Sequence, residues 1–393
     1  MATFYETAAT GSGPPESRLS VFDPQAAVLD IGEDDWRVFN HLTSVELSQD
    51  ERNLAARPDR SAPGADEFLA IHWHPEWAPL ELIEQRLRLA FPEAGNCLAI
   101  PTQHNRIMSL GPWAGVEADV YDRSYGLKVQ LLIHFKAELL PRAGVLTAMM
   151  DRTYNYRAHQ LMDILKALAE PGSVKLQSAL KGSVGDESIM MARFYALRLK
   201  YLIEESGIIG SERDEMLKNR LLPDFMLARV CGFHQPLVDQ AMIYINAVKK
   251  EVKKRLSPGE FYSPQEVIEE ARGLKAGIVI PHPPQFWPIL LSDLDVDGWE
   301  IWNPSTPDHT LFLLAALGRA NESRGGRREL LAFMGDDTHM SAKFRRNRND
   351  ATGSAQREIG FQDPWSDPLV KAELSHIRQS LSKTLCEYRQ RLD

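Results

Sequence analysis

Apolar residues fall into two rhythms along this chain. Short apolar runs, each ended by polar or by proline- and glycine-rich residues, occur at about 68–72, 97–101, 116–121, 129–135, 277–281, 298–302 and 330–334. Runs of that length between breakers predict seven buried strands. From the fourth run to the fifth, apolar positions recur instead every three or four residues, as at Leu161, Ile164, Leu165 and Leu168, the period of a helix buried on one face. This block predicts helices at about 146–169, 187–206, 212–221, 223–231, 236–256 and 264–274, the last opened by Ser263 as cap and Pro264 as first helical residue. A final helix is predicted at about 366–391.

The flanks read differently. Residues 1–17 are small and polar, with Gly11-Ser-Gly-Pro-Pro15, and predict disorder. Residues 18–50 alternate apolar and polar groups and predict a ribbon, followed by a breaker-rich stretch from Ala56 to Ala65. The expected organisation is an N-terminal arm (1–65), one barrel-like domain (66–345) with a helical insertion at about 145–275, and a C-terminal loop and helix (346–393). The basic stretch Lys343 to Arg348 runs into Asn349-Asp-Ala-Thr-Gly-Ser354, which predicts a mobile loop.

Composition narrows the picture. With 393 residues, 44% of them hydrophobic, the chain is long enough for one elaborated domain or two. A net charge of -9 argues against nonspecific nucleic-acid binding as the main role. Cys97, Cys231 and Cys386 are far apart and lack CxxC spacing, so neither a disulfide framework nor a thiolate zinc site is expected. Neither a leader peptide nor an apolar run of membrane-spanning length is evident, and the expectation is a soluble cytoplasmic protein.

The chemistry-bearing residues sit at the ends of the apolar runs. They are His72 and His74 in Ile-His-Trp-His-Pro-Glu, His104, Glu117, His134, His282, Glu300, and Asp337 with His339 in Gly-Asp-Asp-Thr-His. Residues two apart on a strand share a face, so His72 and His74 can grip one ion together. A carboxylate has two oxygens, which suits Glu117 to bridge adjacent ions. The prolines around His282 stop its strand and hold the imidazole at the rim. Imidazoles mixed with carboxylates favour zinc, manganese or iron over calcium or magnesium. The inventory predicts a multinuclear site for divalent transition-metal ions.

The order of these motifs resembles the polymerase and histidinol phosphatase (PHP) superfamily of metal-dependent phosphoesterases, from about Leu69 to Met340. His72-Trp-His74 is similar to its opening motif, Gly115-Val-Glu117 to its metal-bridging motif, and His134 to the histidine of its next strand. The segment from Glu266 to His282 resembles its helix-Gly-Ala-His-Pro motif, and Gly335-Asp-Asp-Thr-His339 its Gly-Ser-Asp-Ala-His motif. Gly298-Trp-Glu300-Ile-Trp-Asn303 is similar to a strand that supports the site, so Glu300 is expected behind the ligands. His104 follows Gln103 where an aspartate is usual. Pro75-Glu76 stands where many members carry a further histidine, with Glu76 as the substitute.

The resemblance implies an α/β fold, a distorted seven-stranded (β/α)7 barrel with a large helical insertion between strands 4 and 5. It implies metal ligands at His72, His74, Glu76, His104, Glu117, His134, His282, Asp337 and His339, with Glu117, Asp337 and His339 carrying the chemistry. The reaction implied is attack of metal-activated water on a small phosphorylated metabolite or nucleotide. A phosphate ester needs cations, for which Arg106, Arg157 and Arg220 are the candidates, with Arg152, Lys343 and Arg345 as further ones. Competing readings are an amidohydrolase-type C–N hydrolase and a PHP-derived nucleic-acid-binding or nuclease module acting through the basic segment. His159, His234 and His309 are expected to be structural, and the oligomeric state is left open.

Overall fold

A computed structural model describes residues 22–23, 26–170, 184–230, 232–254, 258–344 and 356–393, with residues 157–159 described by their backbone alone. The predictions for residues 1–17 and for Arg345–Arg348 lie outside these residues. The chain divides into two units, Met1–Val45 with Arg157–Leu256, and Glu46–Tyr156 with Ser257–Asp393. The division therefore falls inside the expected N-terminal arm.

The first unit is helical among its described residues. Its helices include Glu33–Thr43, Asp186–Ser206, Leu221–Arg229 and Gln235–Lys254, together with the C-terminal part of Gly144–Ala169. Leu161, Ile164, Leu165 and Leu168, the positions that set the helical period, are all buried in its core with Phe39, Leu199, Leu202 and Phe225. Among the described residues, the expected ribbon at 18–50 is helical instead, as Ala26–Leu29, Glu33–Thr43 and the start of Gln49–Ala56. Three acidic residues, Glu33, Asp34 and Asp35, fill the first turn of Glu33–Thr43, where the helix dipole favours them. Phe39 and Thr43 are buried four apart, so the period that governs this segment is 3.6 and not two.

The second unit contains every strand of the described residues. They are β1 (Glu67–Ala70), β2 (Trp73–His74), β3 (Asn96–Ala99), β4 (Met108–Leu110), β5 (Trp113–Asp122), β6 (Leu127–Lys136), β7 (Gly277–Ile280), β8 (Gly298–Trp302), β9 (Leu331–Met334) and β10 (Thr338–His339). The seven apolar runs correspond to β1, β3, β5, β6, β7, β8 and β9; β2, β4 and β10 are additional. The strands do not close into a seven-stranded barrel among the described residues. They form a six-stranded sheet in the order β4-β5-β6-β7-β8-β9 and two separate pairs, β1-β3 and β2-β10. The sheet is antiparallel from β4 to β7 and parallel from β7 to β9, and both pairs are parallel.

Period two sorts the sheet's two faces. Val116, Ala118, Leu131, Ile133, Ile278 and Ile301 pack on one side against Val267, Ile268, Leu313, Leu314, Leu317 and Leu374 from helices. Leu132, Val279, Leu331 and Phe333 face the other way and share a core with Leu69, Ile71, Leu98 and Ile100 of the β1-β3 segments and with Tyr388. Gly115 permits the close approach of those segments to β5, since a Cβ there would lie 2.5 Å from the Pro101 carbonyl oxygen and 2.8 Å from Ile100. Helix Pro264–Gly273 has the expected Ser263 cap, with Ser263 Oγ accepting from Glu266 N. The predicted final helix is two, Pro368–His376 and Leu381–Leu392, broken where Arg378 takes a φ of 56° and Ser380 caps the second. No described helix is long and apolar enough to cross a membrane.

Candidate metal centre

The chain leaves β1, β3, β7 and β9 at their C-terminal ends and delivers a donor from each. His72 lies two residues beyond β1, His282 two beyond β7, Asp337 three beyond β9, and His104 follows β3. Parallel strands collect functional groups at this end because their loops converge there. The pairing of β10 with β2 sets His339 opposite His74. Glu117, in the middle of β5, reaches the same place through an isolated bridge with His104. Its neighbours Val116 and Ala118 point into the core on the other face.

Two carboxylates organise the cluster. Glu117 Oε1 lies 3.8 Å from His72 Nε2 and 3.6 Å from His282 Nε2. Its Oε2 lies 3.7 Å from His74 Nε2 and abuts His104 Nδ1. Asp337 Oδ1 stands 3.6 Å from His72 Nε2, 3.5 Å from His74 Nε2 and 3.6 Å from His339 Nε2. Apart from the His104 contact, these separations are too long for good hydrogen bonds. Two donors bound at about 2.1 Å to one tetrahedral ion stand roughly 3.4 Å apart, which is close to what these pairs show. Three donor groups have all their ligand atoms within 4.8 Å of one another: His74, His104 and His339; His72, His74 and Asp337; His72, Glu117 and His282.

Several donor atoms are buried and lack hydrogen-bond partners. His72 Nε2, both ring nitrogens of His74 and both oxygens of Glu117 are sealed from solvent with no hydrogen bond. A buried polar atom left in that state costs about 1–3 kcal/mol, so a cluster of them fits a bound cation. Burial and the charges of His339 and His104 push the His74 imidazole down to about 3. Burial disfavours charge on His72 as well, but the Glu300 and Asp337 carboxylates outweigh it and hold that imidazole at about 10. His339 is raised to about 9, against its burial, by Asp337 and Glu76. Glu117 and Asp337 are both held well below the usual carboxylate range despite burial, Glu117 chiefly by His104 and Asp337 chiefly by His72.

Supporting contacts aim the donors. Glu300 Oε1 sits 2.6 Å from His72 Nδ1, leaving Nε2 for the cluster, and its Oε2 accepts from the His282 backbone N–H at 2.8 Å and from Asn303 Nδ2 at 3.2 Å. Gly335 makes room for this carboxylate, since a Cβ there would lie 2.0 Å from Glu300 Oε1. His282 and Asp337 have φ values of 26° and 47°, and Glu76 and Asn105, beside His74 and His104, have 55° and 51°. Such conformations cost of order 1–3 kcal/mol each and gather where function demands them.

Not every predicted residue joins the cluster. The two nitrogens of His134 are taken up within the protein, Nδ1 with the Tyr388 hydroxyl at 2.6 Å and Nε2 with the Ile71 carbonyl at 3.0 Å, and burial pushes the ring down to about 3. His134 thus stands among the core residues, where Tyr388 and β1 close over its strand. Glu76 is at the margin: Oε2 accepts from Ser341 N at 2.7 Å, and Oε1 lies 3.6 Å from His339 Nδ1. Arg106 stacks on Tyr154, its guanidinium carbon 4.3 Å from the ring centre. Arg220 pairs with Asp224 at 2.9 Å in the helical unit, and the Arg157 side chain lies outside the described residues. Lys343 is buried against Asp59 and Glu358.

One contact had no signal in the sequence. Arg357 Nη1 donates to Asp337 twice, at 3.0 Å to Oδ2 and 2.9 Å to the backbone oxygen. It lies outside every apolar run and motif, so pattern reading passes over it.

No protein-family model and no curated protein matches the chain. Among solved structures it is similar to a presumed metal-dependent phosphoesterase from Bifidobacterium adolescentis, with 17% identity over 80% of this chain and 97% of that one and a TM-score of 0.43. It is also similar to an amidohydrolase from Chromobacterium violaceum, solved with sulfate and without metal, with 16% identity over 69% and 86% of the two chains and a TM-score of 0.35. Overlaps this loose leave the assignment to the chemistry of the site itself.

Proposed function

We propose that the protein is a metal-dependent hydrolase of the PHP kind, holding two or three divalent transition-metal ions and cleaving a small phosphorylated metabolite or nucleotide. The observation that carries this reading is the set of imidazole nitrogens standing 3.5–3.8 Å from single oxygens of Glu117 and Asp337. His72, His74, His104, Glu117, His282, Asp337 and His339 would hold the ions, with Glu76 behind His339. Divalent ions supply Lewis acidity there, lowering the pKa of water and drawing charge from a phosphoryl oxygen.

The chain's own residues prepare the site for that chemistry. Glu300 fixes the tautomer and direction of His72, the usual task of a carboxylate behind a histidine ligand. Glu117 presents its two oxygens to different imidazole pairs, the arrangement of a bridging group. His104 and His339, 32% and 31% exposed, form the open edge where substrate enters, while His72 and His74 lie sealed behind them.

Elemental analysis of the purified protein, beside phosphomonoesterase and phosphodiesterase assays with added manganese or zinc, tests the proposal. Two or more ions per chain with metal-dependent phosphate release is the expected result. Bound ions without release from either substrate class would move the reading to C–N bond hydrolysis, and failure to bind metal after loading would overturn it.

A further inference from the structure

A phosphorylated substrate needs a cation that the metal ligands do not provide, and two of the arginines singled out in the sequence are already engaged. Arg106 is stacked on Tyr154, and Arg220 is paired with Asp224. Arg357 differs from both. Its Nη1 is bound to Asp337, whereas its Nε and Nη2 have no protein partner among the described residues. Its side chain is 17% exposed, so those donors are open to a small molecule.

The segment carrying Arg357 is held in place by its neighbours. Glu358 is clamped by Arg86 through two bonds of 2.6 Å, with both side chains buried, and Lys343 adds a contact at 3.6 Å. Two residues on, the Gly360 N–H donates to Asp336 Oδ2 at 3.0 Å. Gln362 then donates to the same carboxylate and to the Leu69 carbonyl. A guanidinium fixed this way loses little freedom on binding, and its planar fork suits two phosphoryl oxygens. Arg357 and the imidazoles of His72, His74 and His339 address opposite oxygens of Asp337, so the guanidinium stands one carboxylate away from the donor cluster.

We infer that Arg357 is the substrate-anchoring residue of the site: one edge of its guanidinium holds Asp337 and the other takes the oxyanion of the phosphorylated substrate. This rests on the metal-dependent phosphoesterase reading and adds to it the group that recognises the anion. A residue that served only to hold Asp337 would change metal loading and leave anion affinity alone.

The test compares Arg357→Lys and Arg357→Met with the wild type in three readouts: metal content, melting temperature, and the affinity of the metal-loaded protein for inorganic phosphate by calorimetry. The lysine keeps a charge beside Asp337 but lacks the second edge. The expected result is near-normal metal content in Arg357→Lys, with phosphate affinity lowered roughly tenfold or more, the size of a lost charged hydrogen bond, and lowered further in Arg357→Met. With a hydrolysed ester, KM should rise more than kcat falls. Unchanged phosphate affinity in the loaded variants would overturn the inference, as would loss of metal from both, which would leave Arg357 a holder of Asp337 alone. Failure of the wild type to hydrolyse any phosphate ester would instead overturn the phosphoesterase reading, so the two failures are distinguishable.

Discussion

The two ends of β7, β8 and β9 bury charge in opposite ways. At their N-terminal ends one carboxylate, Asp297, is fully buried and fully answered. Its Oδ2 accepts from Arg272 Nη1 at 2.6 Å and from the Ile278 N–H at 2.9 Å, and its Oδ1 from Arg328 at 3.0 Å and Arg391 at 3.3 Å. Burial pushes this carboxyl up, but Arg272, the Ile278 N–H and Arg391 bring it below its ordinary value. At the C-terminal ends, buried Glu117 and partly covered Asp337 stand among imidazole nitrogens, most of them 3.5–3.8 Å away, too far for good hydrogen bonds. The first arrangement is complete within the protein and stabilises it, tying helices Pro264–Gly273 and Leu381–Leu392 to the sheet. On the proposed reading the second is completed by a cation, which makes this the functional end.

The sharpest way to break this contrast is to neutralise a carboxylate at each end without changing its shape. Glu117→Gln and Asp337→Asn should each lose bound metal, with hydrolysis falling by on the order of 10³-fold. Full metal retention in both, measured by elemental analysis, would sink the site assignment. Asp297→Asn should do the reverse, costing about 3 kcal/mol in denaturant unfolding because three guanidiniums lose their partner, with metal content per folded chain unchanged.

Glu300→Gln is the next smaller effect. It keeps the volume beside His72 but weakens the contact that orients the ring, so metal affinity should fall roughly 10–100-fold. Competition with a chelator of known affinity measures it, and an unchanged affinity would show that His72 needs no support.

The two ends should also answer pH in opposite directions. A carboxylate whose folded pKa is depressed, such as Asp297, contributes stability that is present above its ordinary value of about 3.8 and is lost as pH falls through the folded value. An imidazole whose folded pKa is raised, such as His72, contributes stability that is fully present below about 6.5 and is lost as pH rises through about 10. Metal-stripped protein should therefore lose melting temperature between pH 7 and 10, and His72→Ala should lose less across that window. Metal loading should flatten the slope, since the ion replaces the proton. An alkaline slope of equal size in wild type and His72→Ala would remove His72 as its source.

Part of this is legible in the amino-acid sequence. Each apolar run is a strand, because a short run between breakers is too brief for a helix and too apolar for a loop. His72, His74, His282 and Asp337 are legible as candidate donors because each follows or ends such a run, and the structure gathers them in one cluster. The same rule misplaces His134: it lies on β6 with the right spacing, but whether its ring meets an ion or the Tyr388 hydroxyl depends on a residue 254 positions away. The ribbon expected at 18–50 fails over its described residues because alternation and helical period overlap in short stretches, and packing decides for helix.

What the sequence determined by itself is local: strand positions, helix caps such as Ser263, and an inventory of imidazoles and carboxylates at strand ends, because period and chain geometry act over a few residues. Tertiary structure alone decided three further points. It arranged the strands as a six-stranded sheet with two parallel pairs, split the charged groups between a satisfied hub at Asp297 and a cluster around the unsatisfied Glu117, and brought Arg357 to Asp337. Those outcomes depend on which distant segments meet, and hydrogen bonding and Coulomb attraction act on groups brought together in space, whatever their distance along the chain.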